Sequence, residues 1–236
     1  MKLKKIASLA LAGIMAVSML TACGEGDSNS TVTPPVDNTT STGLSAQLGD
    51  EASDLTNSKV TFADSTTLNS ALKHAVGNIG DRTISQAFIQ NINSVEYLGS
   101  NSMQTWGAVR AAVGVLEDDM DVDVAMLDSV NWTVNGLNPT DPQYDENNYN
   151  TVMLFAVDSG VEMTSIIEQL SNLIDDDMDD LVTSFDVTNV NDDNNQHEVS
   201  YHYTCSVAST SKTFVDADTT FGVTFVAVEI NRVLGV

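Results

Sequence analysis

Cations and cysteines are scarce in this chain. Nine Lys and Arg residues stand against 33 Asp and Glu residues over 236 positions, which gives a formal net charge of −24 at pH 7. A chain this acidic is repelled by phosphate backbones and by anionic lipid headgroups, so we expect neither a nucleic-acid partner nor a basic membrane-binding face. With only two cysteines, the chain cannot form a disulfide framework, and its stability has to come from a hydrophobic core.

Local catalytic motifs are also lacking. The sequence has no G-x-S-x-G elbow, H-E-x-x-H helix motif, Walker loop or G-x-G-x-x-G turn. Of its three histidines, His197 and His202 are an odd number of residues apart, so a regular strand points them to opposite sides of a sheet. The same parity separates His202 from Cys205, and His74 falls on the polar side of its helix. We therefore expect ordinary surface histidines, no cofactor, no metal site and no enzymatic activity.

The first 23 residues form a distinct segment. Three lysines within the first five positions precede an uncharged, mostly apolar run from residue 6 to residue 20, and the run closes with Leu20-Thr21-Ala22-Cys23. This arrangement predicts a secretory signal followed by a cleavage site. A retained transmembrane helix is the alternative, but a span needs about 20 apolar residues and this run is shorter.

The last four of these residues resemble the lipobox of bacterial lipoproteins, in which a small residue precedes a cysteine that receives diacylglycerol before the signal peptide is cut. The resemblance implies that Cys23 is the lipid attachment site and the mature N-terminus, held at the extracytoplasmic face of the cell membrane by acyl chains such as palmitate. Two acyl chains anchor a protein stably, whereas one binds reversibly. Loss of residues 1–22 removes three lysines and no acid, which changes the formal charge from −24 to −27.

Composition divides the rest of the chain into two parts. Residues 24–57 have no aromatic side chain and no cation, and Ser, Thr, Asn, Asp and Gly dominate them. Such a segment buries too little apolar surface to offset its ordering entropy, so we predict that residues 23–57 comprise the lipidated cysteine and a flexible polar tether. A short helix containing Leu44, Leu48 and Leu55 is the alternative at its far end. Residues 58–236 have the length of a single domain.

Apolar patterns in residues 58–236 predict an α+β domain, with a mainly antiparallel sheet and two to four helices packed on one face. The residues 151–157 and 219–234 read as buried strands, and the alternation along 199–207 places Cys205 on the core face beside Tyr203 and Val207. Helices are predicted after a cap at Asp64 or Ser65, from Thr83, over 104–117 (where a strand is the alternative), and after a capping box formed by Ser159 and Glu162. Further strands are predicted at 59–63, 94–98, 122–126, 130–134 and 185–187.

Acid clusters and a few aromatic residues are the remaining candidates for a site. Calcium takes six to eight oxygen ligands, but neither acidic cluster has the spacing of a calcium loop, so we predict solvated acidic faces. The second cluster lies at the end of a predicted helix, where the macrodipole disfavours anions. The clusters are Glu117, Asp118, Asp119, Asp121 and Asp123, and Asp175, Asp176, Asp177, Asp179 and Asp180; the aromatic candidates for stacking on a sugar are Trp106, Trp132, Tyr144 and Tyr149.

Three classes of function agree with these observations. The anchor, the tether and the lack of a local catalytic constellation favour an interaction or structural module of the cell envelope, with the membrane held through Cys23 and an envelope protein or a glycan as the partner. A small-ligand or carbohydrate-binding lipoprotein is the alternative. An extracytoplasmic hydrolase that uses paired acids has the least support, because no nucleophile and no acid–base pair is formed by local spacing.

Overall fold

The computed structural model describes residues 43–84, 94–98, 107–126, 149–188 and 196–234. These residues contain both helices and a mainly antiparallel set of strands, and the α+β class predicted from the sequence is confirmed. The order is α1 (Leu44–Glu51), α2 (Asp54–Lys59), β1 (Val60–Phe62), α3 (Thr66–Gly77), β2 (Glu96–Tyr97), α4 (Gly107–Met120), β3 (Asp123–Val124), β4 (Tyr149–Asp158), α5 (Met163–Asp179), β5 (Ser184–Thr188), β6 (Gln196–Asp216) and β7 (Thr219–Leu234).

All seven described strands belong to one sheet. Their order is β1-β6-β7-β4-β2, with β3 paired to β4 and β5 paired to β6. Among the described pairs, β1–β6 and β3–β4 are parallel and the other four are antiparallel, so the sheet is mixed although mainly antiparallel. The long hairpin of β6 and β7 forms its centre, and β7 lies between β6 and β4, as its two apolar faces predict.

Alternate residues of the central strands face two separate hydrophobic cores. On β7, Phe225 points into the core beneath α3 and α4, whereas its neighbour Val226 points into the core beneath α1 and α5. Every residue of β4 from Thr151 to Val157 is buried, as its continuous apolar run predicts. Helices therefore cover both faces, and the prediction of helices on one face is wrong. A strand that is apolar on both sides needs two covering layers, because each face gains stability only when it leaves water.

The folded domain begins earlier than the composition suggests. Residues 43–57, which we assigned to the tether, form α1 and most of α2, and Leu48 is fully buried against α5 and the sheet. Composition averaged over 24–57 hides these two short helices, since a few well-placed side chains suffice once a packing surface lies beside them. Residues 44–57 therefore belong to the folded domain and not to the predicted tether. The predictions for residues 1–42, including Cys23, lie outside the described residues.

The start of α5 also differs from the sequence prediction. Ser159 and Glu162 do not form a capping box: Glu162 is itself the N-cap, its side chain makes no capping bond, and the helix begins at Met163. Ser159 and Gly160 belong to the turn that follows β4, where the Gly160 N–H donates to Asp158 Oδ1 at 2.7 Å. The side chain of Asp158 satisfies the turn locally, so the helix starts later than the spacing of Ser159 and Glu162 implies.

Other elements agree with their patterns. Ser65 caps α3 by accepting the Leu68 N–H at 3.1 Å, and residues 107–120 form a helix, which decides against the alternative strand there. Thr83 and Ile84 are not helical, and the remainder of the helix predicted from Thr83 lies outside the described residues, as does the strand predicted at 130–134. Among the described helices, none combines the length and the apolarity needed to cross a membrane.

Candidate functional site

Cys205 is a buried residue of the core. It is fully buried in β6 with Tyr203 and Val207 on the same face, which confirms the parity prediction. Burial, with a smaller contribution from the charge of Glu229, raises the pKa of the Cys205 thiol. His202 is exposed on the same strand, so it forms no pair with the thiol. A neutral, buried thiol is a poor nucleophile.

A buried arginine packs against two tyrosines within the β6–β7 hairpin. Arg232 is fully buried, and its guanidinium lies 4.7 Å from the centroid of the Tyr201 ring. The Tyr203 hydroxyl donates to Val182 O at 2.7 Å, and burial, partly offset by Arg232, raises the pKa of Tyr203. One of the few cations of the chain therefore stabilises the core, where cation–π contacts are strongest.

The second acidic cluster is partly a structural clamp. Asp175 accepts the Ser53 N–H at 3.1 Å, while Asp179 accepts the hydroxyls of Ser53 and Thr56, each at 2.7 Å. Lys59 donates to the backbone oxygen of Asp179. These donors come from α2 and its N-cap, and they compensate the acids for the unfavourable end of the α5 dipole. The prediction of a solvated face holds for Asp176 and Asp180, which are exposed, but not for Asp175 and Asp179.

The first acidic cluster is divided among three roles. Glu117 accepts the Val124 N–H at 3.3 Å and so fixes the start of β3. Asp119 pairs with His74, while Asp118 and Asp121 are exposed. The side chain of Asp123 is outside the described set. Among the described residues, no three His, Cys, Asp or Glu side chains are placed to hold a metal ion.

His74 and Asp119 join α3 to α4 at the floor of a shallow groove. His74 Nδ1 lies 2.7 Å from Asp119 Oδ2, and the side chains are 63% and 33% exposed. The groove has a volume of about 500 Å³ and is lined otherwise by Thr66, Thr67, Ser70 and Ala71. The Ser70 hydroxyl donates to Thr66 O at 2.9 Å, so it makes no nucleophile–base pair with His74. The groove offers neutral hydroxyls and one His–carboxylate pair.

The aromatic stacking candidates are not brought together by the described part of the chain. Trp106, Trp132 and Tyr144 lie outside it, and of Tyr149 only the backbone, at the start of β4, is described. His197 lies near the start of β6, with its side chain outside the described set, and His202 follows it on the same strand. The sugar-stacking prediction is therefore not tested by the described residues and stays a prediction.

The outer edge of β6 is bonded at intervals. Alternate residues of an antiparallel strand direct their backbone N–H and C=O groups to opposite neighbours. In β6 the backbone groups of the odd-numbered residues are directed away from β7. The Cys205 oxygen accepts the Ala63 N–H at 3.0 Å, and the Val207 N–H donates to Ser45 Oγ at 2.9 Å. Farther along, the Val215 N–H donates to Asp81 O at 2.8 Å. These bonds occupy the outer edge of β6 at residues 205 and 207 on one side and at residue 215 on the other.

Between these covered positions the edge is open. The outward N–H and C=O groups of Ser209, Ser211 and Thr213 bond to no group in the described part of the chain, and Ser211 and Thr213 are exposed. We call this outward edge, from Ser209 to Thr213, the β6 slot. Six backbone groups at strand spacing, three donors and three acceptors, form a template for one further strand.

The β6 slot lacks the devices that normally protect an exposed strand edge, which are charged side chains, proline and bulges. The register with β7 runs without interruption from Tyr201 to Asp216, and the outward positions are all Ser or Thr. Two cations lie near the slot: Arg82 is exposed beside Asp81 at one end, and Lys212, within residues 209–213, lies on the opposite face. Its Nζ contacts the carbonyl oxygens at the end of α3 and lies 3.3 Å from Asp81 Oδ1. The slot is therefore the candidate functional site.

Sequence reasoning found the strand but missed the slot. The alternation along 199–207 predicts a strand, yet nothing in that pattern says that β1 contributes three residues and β5 five beside a β6 of 21 residues. One signal was available: residues 209–213 read Ser-Thr-Ser-Lys-Thr, a polar stretch that continues a strand without a turn residue.

Comparison with protein-family models, with characterised proteins and with solved structures found no match for this chain.

Proposed function

We propose that this protein is a lipid-anchored, extracytoplasmic lipoprotein of the cell envelope, held at the membrane through Cys23, and that its domain is a non-enzymatic interaction module. The observation that supports the interaction role is the β6 slot, a strand edge whose outward backbone groups are unbonded in the described part of the chain. In this role the slot accepts an extended segment of a partner as an additional strand. Main-chain hydrogen bonds then supply the affinity, as in other complexes formed by strand addition.

The energetics suit a weak module whose concentration is raised by an anchor. Each net hydrogen bond contributes about 0.5–1.5 kcal/mol, and the cost of association and ordering offsets much of the sum. Tethering the domain at one surface raises the effective concentration of the slot for a partner in the same layer. The composition of residues 24–42 predicts a coil, whose end-to-end distance would be roughly 25 Å, so the domain would stay close to its anchor.

The anchor is tested by fractionating cells that express the full chain. We expect Cys23→Ala to move the protein from the membrane fraction to the soluble fraction without changing its circular dichroism. Cys205→Ala is the matched control, because it removes the other cysteine and leaves the anchor in place, so that variant should remain with the membrane. A Cys23→Ala protein that stays membrane-bound would contradict the lipid anchor and support a retained apolar helix.

The interaction role is tested with a photo-crosslinking side chain at Thr213 in intact cells. We expect an adduct that disappears with Ser211→Pro, because proline removes an outward N–H and blocks a neighbouring strand. Ser211→Ala keeps the backbone donor, so its adduct should be unchanged. Both variants should fold, since the backbone N–H of Ser211 points away from β7 and donates no ladder bond to it. Both lose the same contact between Ser211 Oγ and Thr224 Oγ1, so that loss does not distinguish them. An adduct indifferent to Ser211→Pro, or robust turnover of glycan, ester or peptide substrates by the purified chain, would contradict the proposal.

A second candidate function, carbohydrate binding, is favoured by one observation. The groove beside His74 and Asp119 is lined by three hydroxyl side chains, and hydroxyls, a carboxylate and an imidazole all hydrogen-bond sugars. Titration of the purified chain with a panel of oligosaccharides tests it. Binding that is lost in Asp119→Asn and kept in Ser211→Pro would support this function over strand addition.

A further inference from the structure

The shape, polarity and charge of the β6 slot indicate what kind of strand it accepts. Resting on the proposed function, we propose that its occupant is a flexible, extended segment of a partner protein, with about five uncharged β-forming residues and a Lys or Arg residue at each end. The argument has three parts: the recessed ends of the slot, the hydroxyl side chains along it, and the carboxylates that flank it.

The slot is recessed, because both of its ends are occupied by other segments. Ser45 of α1 bonds to Val207 at one end and Asp81 of the loop after α3 bonds to Val215 at the other. Eight residue steps separate these positions, which is about 27 Å along a strand. A second copy of the same rigid edge would have to bring its own flanking segments within about 4.8 Å of these, and the segments would collide. A flexible segment can leave the plane of the sheet at each end.

Hydroxyl side chains line one side of the slot. Ser209, Ser211 and Thr213 share a face, and Ser211 Oγ lies 2.9 Å from Thr224 Oγ1 on the neighbouring strand. Cross-strand pairs of Thr and Ser stabilise antiparallel neighbours by fractions of a kcal/mol. An added strand would place alternate side chains beside this row, so Thr, Ser and Val fit better than large charged groups.

Carboxylates flank the slot. Asp64 is exposed, and its Oδ1 lies 3.4 Å from the nitrogen of Ser45, the residue that covers Val207. At the other end the Asp81 side chain is 73% exposed, and its partner Lys212 is also engaged by carbonyl oxygens of α3. Basic residues on both sides of a neutral core complement this arrangement, and the net charge of −24 adds long-range attraction for them.

The same charges make the chain's own N-terminal residues a poorer occupant than a basic partner. Residues 24–42 contain Glu25, Asp27 and Asp37 and no cation. Their acids would face the carboxylates at the ends of the slot, and like charges at such short range are unfavourable. A basic segment would instead be attracted to these carboxylates.

The proposal is tested with three synthetic peptides and the purified chain carrying Cys23→Ala. The first has a Thr-Val-Thr-Val-Thr core with two lysines at each end, the second replaces the lysines by glutamates, and the third is the lysine peptide with N-methyl groups at alternate core residues. The readout is hydrogen exchange at the amides of Ser209, Ser211 and Thr213. We expect the lysine peptide to protect them, the glutamate peptide to bind about tenfold more weakly, and the N-methylated peptide not to bind.

Variants distinguish the contribution of the flanking charges to peptide binding from that of the open backbone edge. Ser211→Pro should abolish protection of the remaining slot amides, while Ser211→Ala should keep the affinity within about twofold. Asp64→Asn and Asp81→Asn should each weaken the lysine peptide by about two- to fivefold, and neither should change the binding of a peptide with glutamine at its ends. Asp64→Asn keeps a side-chain oxygen that can accept the Ser45 N–H, and Asp81→Asn leaves the backbone oxygen that accepts the Val215 N–H. Both ends of the slot therefore stay formed.

Each contrary outcome has a distinct meaning. Equal protection by the lysine and glutamate peptides would overturn the charge rule and leave the proposed function intact. No protection by any peptide would overturn this proposal, and retention of the Thr213 crosslink in that case would keep the proposed function. Slot amides protected in the free chain would also overturn it: loss of that protection on deleting residues 24–42 would identify the chain's own segment, and a dependence on protein concentration would identify a second copy.

Discussion

β6 and β7 are the two strands of one hairpin, yet they differ in how their edges are used. β7 has β6 on one side along its whole length and β4 on the other over residues 223–232. β6 has β7 on one side, but its outer edge is met in turn by β5, β1, Ser45 and Asp81, with the β6 slot between the last two. The side chains of β7 are buried on both faces from Val223 to Ile230, and those of β6 are buried on both faces from Cys205 to Ala208.

The comparison shows that burial of side chains and pairing of backbones are separate sources of stability. Covering helices remove apolar faces from water whether or not an edge is paired. Edge pairing depends on neighbouring strands of the right length, and here β1 ends after three residues because α3 begins soon after it. Two cores therefore bury the apolar faces of the sheet, although the outward backbone groups of Ser209, Ser211 and Thr213 make no bond in the described part of the chain.

The largest difference in stability between the two strands is expected from proline substitutions, because β7 is paired on both sides. Ala227 lies in the middle of β7 with Ala208 and Leu154 as its neighbours. Ala227→Pro removes a ladder hydrogen bond and introduces a clash in a central strand, so we expect a loss of about 3 kcal/mol or more and no stable fold. Ser211→Pro, in the slot, should cost less than about 1 kcal/mol. Urea unfolding measures both; equal losses would show that the slot is not open.

A second test compares buried side chains of the two strands, within one core, instead of their edges. Phe214 of β6 and Phe225 of β7 are fully buried, and their ring centroids are 6.4 Å apart. We expect Phe214→Ala and Phe225→Ala to lower the free energy of unfolding by similar amounts, about 3–5 kcal/mol each. Chemical denaturation checks this, with the exposed Leu173→Ala of α5 as control at less than about 1 kcal/mol. A much smaller loss for Phe214 would mean that the open edge loosens the core beside it.

The ends of the slot give a smaller effect. Ser45 is buried and its hydroxyl accepts the Val207 N–H at 2.9 Å. Ser45→Ala leaves that buried donor without its acceptor, so we expect a loss of about 1–3 kcal/mol and faster hydrogen exchange at Val207. Ser209→Ala, inside the slot, should change the unfolding free energy by no more than about 0.5 kcal/mol. Unchanged exchange at Val207 in the Ser45 variant would contradict the role of α1 as the end of the slot.

Acid should loosen the clamp that holds α2 to α5. Hydrogen bonds from Thr56 and Ser53 lower the pKa of Asp179 below its ordinary value of 3.8. A carboxyl whose pKa is lower in the folded state stabilises the fold at pH values above the unfolded pKa, and this stabilisation is lost as the pH falls through the folded pKa. Stability should therefore decline below about pH 4, with earlier exchange of the α2 amides than of the β7 amides.

The matched variants for this prediction are Asp179→Asn and Asp176→Asn. The first removes the titrating clamp and should flatten the acid dependence of α2 exchange, while the second changes an exposed neighbour and should leave the profile as it is. Identical acid profiles for Asp179→Asn and the unchanged chain would show that other carboxylates control the docking of α2.

Much of the fold could be predicted from local pattern. Phe225 and Val226 alternate between apolar faces, Ser65 precedes a helical repeat, and Cys205 has the parity of its buried neighbours, because these patterns reflect single-element geometry. The predictions that were wrong involve neighbours. Leu48 gains its burial only from α5 and the sheet, and Asp158 forms a side-chain bond in the turn that displaces the expected capping box.

The candidate site could not be predicted because an edge is a property of a whole sheet. Ser209, Ser211 and Thr213 have the same local character as the residues before them, and whether their outward groups are bonded depends on where β1 ends and where α1 and the loop after α3 lie.

By itself, the sequence determined the class of fold, the periods of its helices and strands, the burial of its central strands and its acidity, since each follows from residue type and spacing. Only the tertiary structure decided that helices cover both faces, that residues 44–57 belong to the domain, and that the outer edge of β6 from Ser209 to Thr213 makes no bond in the described part of the chain. The physical reason is that the local alternation of apolar and polar residues determines which side chains can be buried. Backbone hydrogen bonds between strands join residues far apart in the chain, so no local pattern predicts which of them are not made.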